Sequence, residues 1–224
     1  MSLNDIMNGI NVIKNTDVDY LEKQIYKDEY HMKLLPYSFY KKIPLNDLML
    51  FAYKKAIYSY FTEELIQWIF DNVYLTNAIE IGSGNGSLCR FLGIRGTDSK
   101  IQDSPEVKRY YQLARQPTIK YPYYVEKIDA ISAIQKYHPS TVIASWVTQK
   151  YNENKPGLGG SIYGVDEKYI IDNVDRYIFI GNEKTHYTKE ILDFKHRTIK
   201  EKWLVSRSSN QECNLIYIWD KNDL

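Results

Sequence analysis

The chain has 224 residues, 44% of them hydrophobic and 25% charged, which is ordinary globular usage and excludes wholesale disorder. Twenty-nine Lys and Arg against 28 Asp and Glu leave a formal charge of +1, so no bulk field draws the chain to nucleic acid or to an anionic membrane. Two cysteines, Cys89 and Cys213, form no CxxC pair, which argues against a Cys-based zinc site and a disulfide scaffold and suits a reducing compartment. No apolar run approaches the roughly 20 residues of a membrane span. Residues 1–10 carry Asn, Asp and Gly where a signal peptide needs a basic and then an apolar block, so a cytoplasmic protein is expected. The 21 tyrosines stand out. They have two readings: the bias of an AT-rich genome, or a Tyr-lined ligand surface.

Residues 1–61 lack a glycine-rich motif and read as a helical extension, with 62–224 as the main domain. Within the extension, Leu48, Phe51, Ala52 and Ile57 recur at roughly helical spacing between Asn46 and Phe61, with Asn46 or Asp47 as cap. A second helix is expected from Thr62, with Glu63 and Glu64 at its positive dipole end, running to Asp71–Asn72. The period changes after Thr76. A short apolar strand, Ala78 to Ile81, enters the turn Gly82-Ser83-Gly84-Asn85-Gly86, and a helix follows from Ser87 to Leu92. Gly93 to Asp98 reads as a strand, and Ser104-Pro105-Glu106 opens a helix with Ser as cap and Pro in the first turn. Strand Tyr124–Ile128, helix Ala130–Tyr137 and the buried strand Thr141–Val147 come next. Thr148 to Gly164 reads as an unstructured Gly-rich loop suited to a lid. Helix Asp166–Val174, strand Tyr177–Ile180 closed by Gly181, and a helix from Lys184 to Phe194 complete the alternation. Trp203–Val205 and Leu215–Trp219, joined by a polar turn, predict a final antiparallel hairpin. Strand–helix alternation of this kind predicts a parallel sheet covered on both faces.

The stretch Asn77 to Gly86 carries the chemistry. Glu80 precedes three glycines at alternate positions, at the point where a strand turns into a helix. Such a turn lets a ligand approach the backbone, and the helix start offers free N–H groups. The third glycine follows the second by two residues where a dinucleotide fingerprint needs three, and no P-loop Lys-Ser/Thr follows, so both phosphate cradles are disfavoured.

This E-x-G-x-G-x-G pattern after a strand resembles the first motif of the class I S-adenosylmethionine-dependent methyltransferases. The resemblance spans roughly Leu65 to Leu224 and continues through the strand ends. Asp98 and Ser99 stand where the family holds the ribose hydroxyls, Asp129 and Ala130 where it contacts the adenine amino group, and Ser145 and Trp146 where it lines the methionine and the transfer site. With Glu80, Gly82, Ser83, Gly84, Asn85 and Gly86, these are the cofactor-binding residues the resemblance implies. It also implies a Rossmann-like α/β fold: a mostly parallel seven-stranded sheet with a terminal antiparallel hairpin, here preceded by the helical extension. The implied activity is methyl transfer from S-adenosylmethionine to a small molecule or a modest macromolecule. The alternatives are the same fold kept as a binding protein without turnover, and another nucleotide-binding α/β enzyme. Ser145-Trp146-Val147-Thr148 lacks the paired prolines of the family's DNA amino-methyltransferases, and neither cysteine follows a Pro as the cytosine-carbon nucleophile does.

Several residues keep a bland reading beside the functional one. Glu80 also suits a solvated strand end, Asp98 a turn, Asp129 a helix cap and Trp146 core packing. Trp146, Tyr151, Tyr163 and His186 are the substrate candidates, although a cap or surface position suits His186 better. The histidines have no metal-ligand spacing, so no metal is expected.

Overall fold

The computed structural model describes residues 17–221. Its strands are β1 (Ser59–Tyr60), β2 (Ala78–Ile81), β3 (Arg95–Asp98), β4 (Glu126–Lys127), β5 (Thr141–Ser145), β6 (Arg176–Asn182), β7 (Arg197–Ile199), β8 (Val205–Ser206) and β9 (Asn214–Asp220). Seven of them form one sheet in the order β4-β3-β2-β5-β6-β9-β7. All are parallel except β9, which runs antiparallel to both β6 and β7. The remaining two, β1 and β8, form a separate antiparallel pair. This is a mixed α/β, Rossmann-like architecture.

Both faces of the sheet are buried, and the period-2 alternation of strand side chains shows it. Val142, Ala144, Tyr177, Phe179 and Tyr217 join one core with Ala133 and Ile134 of the helix Ala130–Tyr137 and Ile170 and Ile171 of the helix Glu167–Asn173. Their neighbours Ile143, Ile178, Ile180, Ile216 and Ile218 join the opposite core, with Leu65, Ile66 and Ile69 of the helix Glu63–Asn72 and Leu88 of the helix Ser87–Leu92. A third cluster, from Val18 to Tyr60, fills the N-terminal layer and includes Val205 of β8.

Local signals set several boundaries. Thr62 caps the helix Glu63–Asn72 by accepting from the Leu65 N–H, and Ser104 caps Pro105–Leu113 by accepting from Val107. The helix expected over Asn46–Phe61 covers Leu45–Lys54 instead. Ala56, at φ +52°, turns the chain out of it, and Ser59–Tyr60 is then extended in β1. The helix expected from Lys184 to Phe194 splits into Glu183–His186 and a 3-10 turn, Glu190–Asp193. There the Asn182 side chain caps the first piece, and the His186 carbonyl closes a turn by accepting from the Lys189 N–H.

The terminal hairpin needs correction. The partner of β9 is Arg197–Ile199, not Trp203–Val205. Val205 pairs with Tyr60, and the Trp203 carbonyl accepts from the Thr62 hydroxyl, so that apolar run is committed to the N-terminal layer. The sequence Arg197-Thr198-Ile199 hides its strand because an edge strand tolerates charged and polar residues. Among the described residues, no helix is long and apolar enough to cross a membrane.

Candidate functional site

In the sheet, β2 has β3 on one side and β5 on the other, so the connections leaving this point run in opposite directions. Open α/β sheets bind ligands at such a switch point, outside the carboxyl ends of the strands. A cavity of about 620 Å³ lies there, within the range of small-molecule sites. It is lined by Glu80, Gly82, Ser83, Gly84 and Asn85 after β2, by Asp98 and Ser99 after β3, and by Ser145 and Trp146 after β5.

The glycine turn is held from inside the protein. Asp98 is buried, and its two oxygens accept from the Gly84 N–H at 2.9 Å and the Lys100 N–H at 2.7 Å. One carboxylate thus joins the ends of β2 and β3. Burial raises its pKa, opposed by these backbone bonds. Glu80 lies deeper, and its carboxylate accepts from the Cys89 N–H at 2.8 Å at the start of the helix Ser87–Leu92. Burial pushes its pKa up to about 8. Glu80 is therefore a buried acid tied to the helix, not the solvated strand-end group that the sequence also allowed.

Gly84 and Gly86 do different jobs. Both have positive φ, +52° and +68°. A Cβ on Gly84 would meet Ile119 at ordinary contact distances, Cδ1 at 3.4 Å and Cγ2 at 3.8 Å, and the Gly82 carbonyl at 4.0 Å. A Cβ on Gly86 would stand 2.7 Å from Tyr124 and from Val125, so this glycine is required by packing. It does not line the cavity.

Asp129 and Ala130 are not brought to the cavity either. Asp129 caps its own helix, accepting from the Ser132 N–H at 3.0 Å and the Ser132 hydroxyl at 2.6 Å. The local capping geometry wins because Ser132 is three residues away and needs no tertiary fit. Trp146 follows β5 at φ +56°, its backbone N–H donating to the Ile180 carbonyl at 3.0 Å. Its ring lies 6.3 Å from Tyr58 and edge-on to His186 at 4.9 Å. Two buried polar atoms here, Ser145 Oγ and Trp146 Nε1, have no partner within the protein. Unpaired buried groups in a cavity wall are what a polar ligand would satisfy.

His186 is buried outside the cavity, with its Nδ1 2.9 Å from the Asn182 N–H and its ring against Phe179. Burial, reinforced by nearby Lys189, lowers its pKa to about 4. It is thus a neutral residue behind Trp146, not the surface group that the sequence also allowed. Tyr163 lines the main cavity, whereas Tyr151 lines a second one of about 350 Å³.

The segment Thr148–Gly164 is not structureless. Lys150 donates to the Val165 carbonyl, Tyr151 to Ser161 and Ser161 to Gln149, while the Gln149 side chain reaches the Leu158 and Thr188 carbonyls. Its far limb, Gly160 to Gly164, forms part of the cavity wall.

Sequence reasoning missed two further walls. Ala56, Tyr58, Ser59 and Phe61 come from the N-terminal segment. Tyr110, Tyr111, Ile119 and Tyr121 come from the stretch between β3 and β4. The tyrosine excess was the one available signal, and five tyrosines, Tyr58, Tyr110, Tyr111, Tyr121 and Tyr163, do line the cavity.

No known family profile matches the chain, and no curated protein does. Among solved structures, a Thermoplasma acidophilum protein is similar over 68% of this chain and 83% of its own length, at 15% identity and a TM-score of 0.33. A mutant of the Spodoptera frugiperda protein DNMT2 is similar over 66% of this chain and 51% of its own, at 12% identity and a TM-score of 0.31. Both scores are too low for either likeness to carry an argument, and the site stands on its own geometry.

Proposed function

We propose that the chain binds S-adenosylmethionine in the switch-point cavity and transfers its methyl group to an acceptor. The observation that carries the reading is the joint between β2 and β3, where Asp98 bonds the backbone of Gly84 within the glycine turn. That joint sets an acid beside a stretch of backbone with no side chain, at the sheet edge where nucleoside-like ligands bind. The residues present fit the cofactor. Each Asp98 oxygen has one backbone partner and a remaining lone pair for a ribose hydroxyl, and beside it the cavity face of Gly84 is bare, the nearest atom to a Cβ there being Ile119 Cδ1 at 3.4 Å.

The bound cofactor supplies an electrophilic sulfonium methyl. The protein's part is alignment and exclusion of water, which together account for much of the barrier reduction in such transfers. Asp98 and the glycine turn would fix the nucleoside end, and the Trp146 ring suits a cationic centre by its quadrupole. The acids Glu80 and Asp98 are engaged by backbone donors and are positioned to hold structure more than to move protons.

Titration calorimetry with S-adenosylmethionine and with its demethylated product is the test. Saturable one-to-one binding that is weakened in Asp98→Ala supports the reading, and no binding of either compound refutes it. Release of the demethylated product in the presence of an acceptor separates a methyltransferase from a binding protein of the same fold.

A further inference from the structure

We infer that the part of the cavity over Trp146 receives a flat aromatic or heteroaromatic small molecule that bears no phosphate or carboxylate. This deepens the methyltransferase reading, on which it rests, by naming the class of its acceptor. Three features of the lining carry it.

The first is charge. Asp98 and Glu106 bring negative charge to the cavity lining, where burial holds the deep Glu80 protonated at neutral pH, and among the described residues no Lys, Arg or His lines it. Two cations touch lining rings without lining the cavity themselves: Arg207 stacks on Tyr58 at 4.4 Å, and Lys100 lies 5.9 Å from the Tyr121 ring centre. A phosphate or carboxylate on the acceptor meets Asp98 and Glu106 and no fixed positive partner, so its desolvation is not compensated, whereas the carboxylate of the cofactor is balanced by the cofactor's own ammonium group. A nucleic acid backbone or an acidic peptide is opposed for the same reason.

The second is shape and surface. Trp146, Tyr58, Tyr111 and Tyr163 line the cavity with aromatic rings. Tyr58 stands 6.3 Å from Trp146 with its ring tilted by 44°. Such rings favour a flat apolar guest by offset or edge contact over a flexible chain. Tyr163 is 46% exposed, so this wall reaches the mouth and is open to an incoming molecule.

The third is polarity without charge. Trp146 Nε1 is a donor and Ser145 Oγ a donor or acceptor, and both are buried and unpaired. A ring nitrogen, carbonyl or amino group of a neutral guest satisfies them, whereas an aliphatic hydrocarbon leaves them unpaired.

The test uses three probes of one ring size: quinoline, N-methylquinolinium and quinoline-2-carboxylate. Binding to the full chain is measured by calorimetry, with and without saturating S-adenosylhomocysteine. Quinoline is expected to bind saturably, the cation at least as tightly, and the carboxylate about tenfold or more weaker, in line with aromatic and electrostatic preferences of this size. Tyr58→Leu and the exposed Tyr163→Ala are each expected to weaken quinoline several-fold while leaving S-adenosylhomocysteine affinity within about twofold, roughly the loss of one aromatic contact. A carboxylate that binds as tightly as quinoline overturns the inference, as does quinoline binding that neither variant changes. The two readings fail separately. Discriminating quinoline binding in a chain that ignores S-adenosylhomocysteine refutes the methyltransferase and keeps the aromatic site. Good S-adenosylhomocysteine binding with no quinoline binding does the reverse.

Discussion

Gly84→Ala and Gly86→Ala form a matched pair that separates ligand space from packing space. Both replace a glycine at positive φ, +52° and +68°, so each carries a backbone cost of about 1–2 kcal/mol for an L-residue in the left-handed region. Only Gly86 adds a steric term. Its Cβ would lie 2.7 Å from Tyr124 Cε2, 2.7 Å from Val125 Cγ2 and 3.0 Å from Pro122, three groups from the segment leading into β4. Val125 is buried and cannot swing away. Overpacking of this kind costs about 1–3 kcal/mol more. Gly86→Ala should therefore lose about 2–5 kcal/mol and Gly84→Ala about 1–2 kcal/mol. A chain of this size shifts its melting temperature by about 2–4 °C per kcal/mol. Cofactor affinity should rank the other way. The methyl added by Gly84→Ala stands in the cavity against Ile119, where the proposed ligand crosses the turn, and more than about tenfold of affinity should go. Gly86→Ala, measured below its transition, should bind as the wild type does because Gly86 does not line the cavity. Thermal unfolding and calorimetry on the same preparations decide it. Equal melting temperatures would refute the packing argument, and wild-type affinity in Gly84→Ala would remove the ligand from the glycine turn.

Asp98→Ala should weaken the cofactor by about 1–3 kcal/mol and also lower the melting temperature, since the Gly84 and Lys100 N–H groups lose their acceptor; unchanged affinity would give the ribose to another residue. Glu167→Gln should cost about 3–5 kcal/mol by denaturant titration because it leaves the buried Lys189 ammonium without its counter-charge, and adding Lys189→Met should recover part of the loss. Two groups set opposite pH slopes. His186 is lowered to about 4 from 6.5, so the unfolded chain binds more protons between these values, and the His186 contribution is whole above 6.5 and fades as pH falls toward 4. Glu80 is raised to about 8 from 4.5, so its contribution is whole below 4.5 and fades as pH rises toward 8; denaturant midpoints of Glu80→Gln should lack that alkaline decline. If Thr148–Gly164 closes over bound ligand, amides of its far limb should exchange more slowly with cofactor present, while the bonded base around Gln149 and Lys150 stays protected throughout; equal rates everywhere would leave a fixed wall.

The central parallel strands β2, β5 and β6 were legible because burial on both faces writes them as apolar runs such as Thr141–Ser145, bounded by turn residues. Caps were legible for a related reason: Thr62, Ser104 and Asp129 each satisfy a helix start three residues away. Elements whose identity depends on a distant partner were not. Trp203–Val205 and Arg197–Ile199 compete for a place beside β9, and what decides between them is that β1, far earlier in the chain, claims Val205. No local periodicity carries that information.

The same division runs through the site. Asp98 and Asp129 both end a strand and precede a helix or turn, and the sequence treats them alike. Asp129 turns to its own helix, three residues on, while Asp98 reaches back fourteen residues to the glycine turn. Which acid faces the cavity is therefore a tertiary fact, set by β3 lying directly beside β2 while β4 lies one strand further out. Tyr58 and Phe61 go further in this direction. The β1–β8 pairing fixes the N-terminal segment to the end of the chain, and its residues join the cavity wall with the glycine turn. An extension with no motif of its own thus supplies aromatic surface to the site. In the proposed site its residues would shape what enters, while the glycine turn and Asp98 would shape what is held, and only the second task leaves a short-range pattern in the chain.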